Sequence, residues 1–202
     1  LVGSPPKAAR VNPTKSKGKA LKPLYQKLNL AAKLMQKRRF RLAIPPLKKG
    51  IELAKTLVKW EGSIKALARL RGLLALAHLQ LGDTEEGETL LQEVARMDPK
   101  PAPPEITKNR ILSRLYKRAQ REVSRGPKVR LQVLGTSQGE VFIDGRKRGT
   151  IPVDLNNLPR GVHYIRVEKS GHRSWGQSVL LANKVTRKQV TLQQIPPHQI
   201  TP

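Results

Sequence analysis

Residues 141–172 read VFIDGRKRGTIPVDLNNLPRGVHYIRVEKSGH, and this stretch decides the fold of the C-terminal half. It contains two short runs rich in β-branched and aromatic residues, 141–143 and 163–167. Asp144-Gly145 and Ser170-Gly171 suit tight turns, because glycine adopts positive φ angles without steric cost. Short strands separated by such turns predict a small all-β sandwich or barrel.

Alternation of apolar and polar residues continues on both sides of this stretch. Upstream, Val129, Leu131 and Val133 alternate with polar residues after Gly126-Pro127, which predicts a half-buried strand. Downstream, residues 178–181 and 186–192 predict two more strands. We therefore place a β domain at residues 127–194, followed by a short tail at 195–202.

The order of these elements resembles the PEGA domain family. The matching elements are Val141 to Gly145, Gly149-Thr150 with Pro152, Leu155, Leu158, Gly161-Val162-His163, Val167 and Gly171-His172. The resemblance covers residues 128–194. It implies a small β domain of bacterial extracytoplasmic proteins that serves adhesion or interaction and has no associated catalysis. The turns of such a domain would depend on Gly145, Gly149, Pro152, Gly161 and Gly171.

Three positions depart from the PEGA pattern. Residues 137–140 read Ser-Gln-Gly-Glu where the family has Pro-Glu-Gly-Ala, Ile151 stands between Thr150 and Pro152, and His172 replaces an aromatic residue. All three lie in turns or loops, so we expect the fold to be unchanged.

Residues 24–126 show the three- and four-residue apolar spacing of helices. We predict a first helix around Leu30, a second from about Ile44, a third at 64–81 and a fourth that follows Thr84 as its N-cap. Pro45 and Pro46 suit a first helical turn, which sets the start of the second helix. The last helix is predicted from about Ile106 to Arg125, with a buried stripe of Ile111, Leu112, Leu115, Tyr116, Ala119 and Val123.

Part of this helical region resembles a tetratricopeptide (TPR) repeat. The resemblance lies in the turn at Gly82-Asp83, the small residue Gly87 and the closing Asp98-Pro99. A weaker copy at 30–51 has Lys37-Arg38-Arg39 in place of the Gly-Asp turn. An irregular helical bundle is the alternative. The predicted class is therefore an α+β multidomain protein: TPR-like helical hairpins followed by a PEGA-like sandwich.

Basic residues dominate the chain, whose formal net charge is +26. Residues 1–51 contain 14 Lys and Arg and no Asp or Glu. Because residues 1–23 are also rich in proline and poor in apolar groups, we predict that they form a disordered basic arm. A protein this basic attracts polyanions through long-range electrostatics, although net charge does not distinguish among them.

Sequence motifs for catalysis or for cofactors are absent. There is no cysteine, and none of the four histidines has metal-ligand spacing with another candidate ligand. Neither a phosphate-binding glycine loop nor a Gly-x-Ser-x-Gly elbow occurs. We therefore expect no enzymatic activity, no metal site and no cofactor.

Exposed basic clusters are the candidate partner-binding residues. They lie in the arm, at the end of the first helix and in a hairpin of the β domain: Lys15, Lys17, Lys19, Lys37, Arg38, Arg39, Arg41, Arg146, Lys147 and Arg148. An ordinary solvated surface is the alternative interpretation. We expect an acidic protein surface or an anionic envelope polymer to bind there. Nucleic acid is the second hypothesis, and the chain has no helix-turn-helix, RNP or KH signature to support it.

The resemblance and the charge together predict a non-enzymatic adaptor or scaffold of the bacterial cell envelope. Its partners would be protein components of a larger assembly. The first residue is Leu1, which fits a periplasmic chain after removal of a signal peptide and fits a truncated chain equally well, and we expect no transmembrane segment. The alternative is a cytosolic protein that binds nucleic acid or another polyanion.

Overall fold

The computed structural model describes residues 13–196, with side chains from residue 18 onward. The helices are α1 (Pro13–Gln36), α2 (Phe40–Thr56), α3 (Ser63–Leu81), α4 (Thr84–Met97), α5 (Pro104–Thr107) and α6 (Arg110–Arg125). The strands are β1 (Lys128–Gly135), β2 (Glu140–Ile143), β3 (Arg146–Thr150), β4 (Val153–Pro159), β5 (Gly161–Glu168), β6 (Trp175–Leu181) and β7 (Val185–Val190). This arrangement confirms the predicted α+β class.

Helix α1 corrects the prediction that residues 1–23 form a disordered arm. The helix begins at Pro13 and continues through Pro23. Its buried residues recur every three or four positions, so that one face packs against α2 and α3: Leu21, Leu24, Leu28, Ala31 and Met35. Residues 1–12 of the predicted arm, and 197–202 of the predicted tail, lie outside the described residues.

Helices α3 and α4 meet through the predicted turn at Gly82. This glycine ends α3 at a φ of 90°, a left-handed conformation that favours glycine. The prediction that Thr84 is the N-cap is wrong, because Thr84 is already the first residue of α4. Asp83 precedes the helix, and its carboxylate lies 3.1 Å from Nδ1 of His78 instead of capping the helix.

Two other helix boundaries differ from the predicted ones. Helix α2 begins at Phe40 rather than Ile44, since Ala43 and Leu47 extend its buried stripe by a turn. The predicted last helix is divided into α5 and α6. Asn109 starts α6 by accepting a hydrogen bond from the backbone N–H of Leu112 at 3.0 Å. Ile111, predicted to be buried, is 64% exposed.

The strands form two sheets that enclose one apolar core. One sheet has the order β4-β1-β7, and the other has the order β3-β2-β5-β6. Strand β7 runs parallel to β1, whereas the other pairs are antiparallel. Side chains from both sheets fill the core, among them Val129, Leu131, Val133, Val141, Ile143, Ile165, Val167, Leu181 and Val190. The buried positions of β1 alternate as predicted.

Replacing Gly87 with alanine is expected to destabilise the α3–α4 pair. A Cβ at this position would lie 2.6 Å from Cγ of Leu79 and 3.2 Å from the carbonyl oxygen of Ala75. We expect the free energy of unfolding in urea to fall by about 1–3 kcal/mol, as overpacking generally does. The matched control is Gly18→Ala on α1, where the added methyl group would meet no described atom within 4 Å apart from the adjacent residues and backbone of its own helix. That control should be neutral or slightly stabilising, and equal effects of the two variants would contradict the close packing at Gly87.

Candidate functional site

Strand β5 is buried on both faces, and this joins the helical part of the molecule to the β part. Residues 163–167 are all buried. Ile165 and Val167 belong to the core of the sandwich, whereas Tyr164 points the other way and belongs to the core of the helices. The helical part therefore covers the second face of the sheet around Tyr164, whereas Val162 and Leu180 of the same face are exposed.

Arg71 of α3 fixes the position of Tyr164. Its Nη2 donates a hydrogen bond to Oη of Tyr164 at 2.9 Å, and its Nη1 lies 3.0 Å from Sδ of Met97. Nε of Arg71 lies 2.8 Å from Oε2 of Glu93, which is close enough for an ion pair, but the two groups are not aligned for a hydrogen bond. Because the guanidinium group is buried, these partners offset the cost of removing its charge from water. The contact thus ties α3, α4 and β5 together.

The two parts also approach closely at three other places. The guanidinium group of Arg146 on β3 lies 2.6 Å from Oδ2 of Asp98, at the end of α4. A Cβ at Gly161 would overlap the side chain of Arg96, and one at Gly176 would overlap the backbone of Lys59. At Gly176 only glycine fits, because the backbone of the sheet lies directly against the backbone of the helical part, whereas Gly161 has a φ of 133° that favours glycine.

The motif residues Asp144 and His163 form a buried pair next to this junction. Nδ1 of His163 lies 2.6 Å from Oδ2 of Asp144, and Nε2 lies 2.7 Å from the carbonyl oxygen of Pro159. The other carboxylate oxygen of Asp144 accepts a hydrogen bond from the backbone N–H of Tyr164 at 2.9 Å. Both ring nitrogens face acceptors, so the arrangement favours an imidazolium with two N–H donors.

The charge state of His163 follows from opposing effects. Burial lowers the pKa of this histidine, but the hydrogen bond and charge of Asp144 and the carbonyl of Pro159 outweigh burial. The net effect raises the pKa of His163 above its ordinary value of 6.5. Asp144 also has a positive φ of 53°, which aspartate tolerates better than most residues. The Asp-Gly turn therefore sets the position of the carboxylate that holds His163.

A polar cleft of about 450 Å³ lies between the helices and the sandwich beside this pair. Its walls come from the end of α4, from α6 and from β4, and their polar side chains include Arg96, Gln120, Lys128, Arg148, Asn156 and Asn157. His163 borders the cleft, but both of its nitrogens are already engaged. Ser124, also in the wall, donates its hydroxyl to the carbonyl of Arg121 at 2.8 Å. The cleft thus offers polar contacts without pairing a base with a nucleophile.

Of the glycines predicted to form turns in the β domain, Gly145 and Gly171 lie in turns, whereas Gly149 lies within β3 beside a register shift and Gly161 begins β5. Gly145, Gly149, Gly161 and Gly171 all have positive φ angles, between 72° and 142°. Pro152 follows a cis peptide bond from Ile151. His163, in contrast, was predicted only to start a strand, and sequence reasoning missed its pairing with Asp144. The sequence feature that could have indicated this pairing is that both residues lie within the motifs that resemble the PEGA domain.

The predicted basic residues do not gather into one site. Lys37, Arg38, Arg39 and Arg41 are exposed at the turn between α1 and α2, which we call the α1–α2 basic turn. Lys19 is exposed on α1, and the side chains of Lys15 and Lys17 lie outside the described residues.

The hairpin cluster at residues 146–148 separates into three different environments. Arg146 is engaged with Asp98, and Lys147 pairs with Glu140. Arg148 is exposed at the mouth of the cleft. All three lie on β3, an edge strand, where charged side chains also discourage pairing with other chains. Arg146 therefore joins the sandwich to the helical part, and its guanidinium group is already engaged rather than open to a partner.

Comparisons with known proteins give one match. Residues 136–196 match the PEGA domain family. This confirms the PEGA resemblance over most of the predicted range, and PEGA domains are typical of extracellular and periplasmic proteins. No curated protein and no solved structure matches the chain. No family match covers the helices, so their TPR-like character stays a prediction.

Residues 13–196 also bear on metal binding and on membrane insertion. No group of three or more histidine or acidic side chains is placed to hold a metal ion within this range. None of the helices described there is long and apolar enough to cross a membrane.

His163→Gln is expected to remove a pH-dependent contribution to stability. Because the pKa is raised in the folded state, the stabilisation is complete below about pH 6.5 and is lost as the pH rises through the folded-state value. Urea unfolding from pH 5 to pH 9 should therefore show a stability difference between wild type and variant that shrinks with rising pH. Wild type is the reference for this profile, measured in the same buffers and over the same pH range. A constant difference between wild type and His163→Gln would contradict a charged His163.

Tyr164→Phe is expected to weaken the junction between the helices and the sandwich. The variant keeps the ring but leaves Nη2 of Arg71 buried without its acceptor. An orphaned buried donor of this kind costs about 1–3 kcal/mol of unfolding free energy. Tyr25→Phe is the matched control, because Tyr25 is 39% exposed, and it should change stability by less than about 0.5 kcal/mol. Indistinguishable effects of the two variants would refute the role assigned to the Arg71–Tyr164 contact.

Proposed function

We propose that this chain is a non-enzymatic interaction protein of the bacterial cell envelope. Its helical part and its PEGA-like domain, the sandwich of residues 128–196, would act as one scaffold for protein components of a larger assembly. The proposed location is extracytoplasmic, in keeping with the PEGA match. The basic surface would dock on an acidic partner.

The proposal rests on the observation that the polar residues of the motif bond to other groups within the protein. Asp144 and His163 are the polar side chains of the motif that a catalytic interpretation would need. They are buried and bonded to each other and to the backbone of Pro159 and Tyr164. A histidine whose two nitrogens both face acceptors does not serve as a general base. The PEGA-like motif therefore supports structure, and the outer surface remains for partners.

The outer surface supports interaction through its charge. The exposed residues of the α1–α2 basic turn lie beside Leu42, which is 59% exposed. Within residues 18–196 no carboxylate forms an ion pair with Lys37, Arg38, Arg39 or Arg41. A basic rim around an apolar side chain is a common composition for a protein-docking surface.

Native complexes from fractionated cells test the proposal. The tagged full-length protein would be recovered from envelope and cytosolic fractions, with and without nuclease, and its partners identified. We expect a defined set of proteins from the envelope fraction, unaffected by nuclease. Recovery from the cytosol with nucleic acid, lost on nuclease treatment, would overturn the proposal in favour of a polyanion-binding protein.

Charge reversal at the α1–α2 basic turn tests where the acidic partner docks. The variant Lys37→Glu/Arg39→Glu/Arg41→Glu should lower the affinity for the recovered partner by about tenfold, or ~1.4 kcal/mol. The matched control, Lys48→Glu/Arg173→Glu/Lys184→Glu, changes the net charge equally at scattered exposed positions. Affinities would be measured with purified components at fixed salt. Equal losses in both variants would show that only net charge matters.

A further inference from the structure

Helix α6 presents a line of exposed cations along its outer face. We call Arg110, Arg114, Lys117, Arg121 and Arg125 the α6 basic stripe, and all five are exposed. With 3.6 residues per turn, their spacing places them within an arc of about 80° along roughly 22 Å of the helix axis. The buried residues of α6, Leu112, Tyr116 and Ala119, lie on the opposite side of the helix.

The fold does not neutralise this stripe. Within residues 18–196 no carboxylate forms an ion pair with any of its five cations. Arg118, on the flank of the same helix, lies 2.9 Å from Glu122 and 3.9 Å from Glu88 of α4. Carboxylates therefore pair with the cation that faces α4, whereas the outer face of α6 keeps only positive charge.

Such a face works against the stability of the helix that contains it. Successive stripe residues stand three or four positions apart, where like charges repel and destabilise a helix. A face that served only solubility would mix charges of both signs. The stripe also continues into a shallow concavity at the start of α6, lined by Thr107, Lys108, Arg110, Ser113, Arg114 and Lys117. The retained positive charge indicates a role in recognition.

The spacing of the stripe matches one face of a second helix. From Arg110 to Arg121 the cations follow steps of four, three and four residues, the spacing that keeps a seam facing a second helix laid alongside. Carboxylates at the same spacing on a neighbouring helix would each meet one cation. We propose that the α6 basic stripe is the docking surface for an acidic helix of a partner protein, which rests on the interaction role proposed above.

Two other polyanions fit the stripe less well. Single-stranded nucleic acid is normally held by aromatic side chains that stack on its bases, and the aromatic residue of α6, Tyr116, is buried. A lipid bilayer is normally bound by a helix that inserts an apolar face, but the apolar face of α6 is buried within the protein. Ile111 alone projects from α6 as a large exposed apolar side chain among the described residues.

The test uses a synthetic helix as the probe. A fluorescein-labelled, alanine-based peptide with glutamates in the four-three-four spacing would be titrated with the full-length protein at fixed salt, and anisotropy would give the dissociation constant. A second peptide of the same composition, with the glutamates distributed around the helix, is the control ligand. We expect the patterned peptide to bind at least tenfold more tightly than the distributed one.

Matched variants locate the binding on the protein. Arg114→Glu/Lys117→Glu/Arg121→Glu should weaken binding of the patterned peptide at least tenfold. Lys48→Glu/Arg173→Glu/Lys184→Glu, with the same charge change at scattered exposed positions, should weaken it by less than about threefold, the effect of lower net charge alone. Circular dichroism would establish that both variants remain folded.

Three outcomes would overturn the proposal: equal binding of the two peptides, equal losses in the two variants, or tighter stripe-dependent binding of oligothymidine or of vesicles containing anionic lipid. The last outcome would assign the stripe to a phosphate-bearing ligand. If the peptide test fails while envelope proteins still co-purify, the docking role of the α6 basic stripe is rejected and the proposed function stands. Success of the peptide test without envelope partners would instead reject the proposed function.

Discussion

The architecture depends on one side chain crossing from the sheet into the helices. Tyr164 leaves β5, enters the apolar core of the helical part and meets the buried guanidinium group of Arg71. Because its neighbours Ile165 and Val167 fill the sandwich core, the strand belongs to two cores at once. Neither part then presents a free face there, and the helices and the sandwich become a single unit.

The same constraint holds the motif residues Asp144 and His163 within the junction. The contact at Tyr164 lies next to His163, and Asp144 bonds to the ring of His163 and to the backbone of Tyr164. The Asp-Gly turn, the histidine and the junction are therefore one hydrogen-bonded structure. Under the proposed function the partners would meet the outer surface, where the cations of the α1–α2 basic turn and the α6 basic stripe form no ion pair with any carboxylate of residues 18–196.

Local patterns predicted much of the fold, and long-range contacts account for what they missed. Alternation in β1 and the glycine turns were readable because they depend on neighbouring residues. The start of α1 was missed because proline-rich composition suggested disorder, whereas Leu21 and Leu24 are buried by distant helices. The pairing of His163 with Asp144 joins residues 19 positions apart, a proximity created by the pairing of β2 with β5.

The most direct test of the account is whether the two parts tumble together. Backbone ¹⁵N relaxation of the full chain would give a rotational correlation time for helices α1 to α6 and another for strands β1 to β7. Because Tyr164 and Arg71 join the two cores, we predict equal values, each appropriate to the whole chain. A distinctly shorter correlation time for the strands would show an independently moving sandwich and would contradict the shared core.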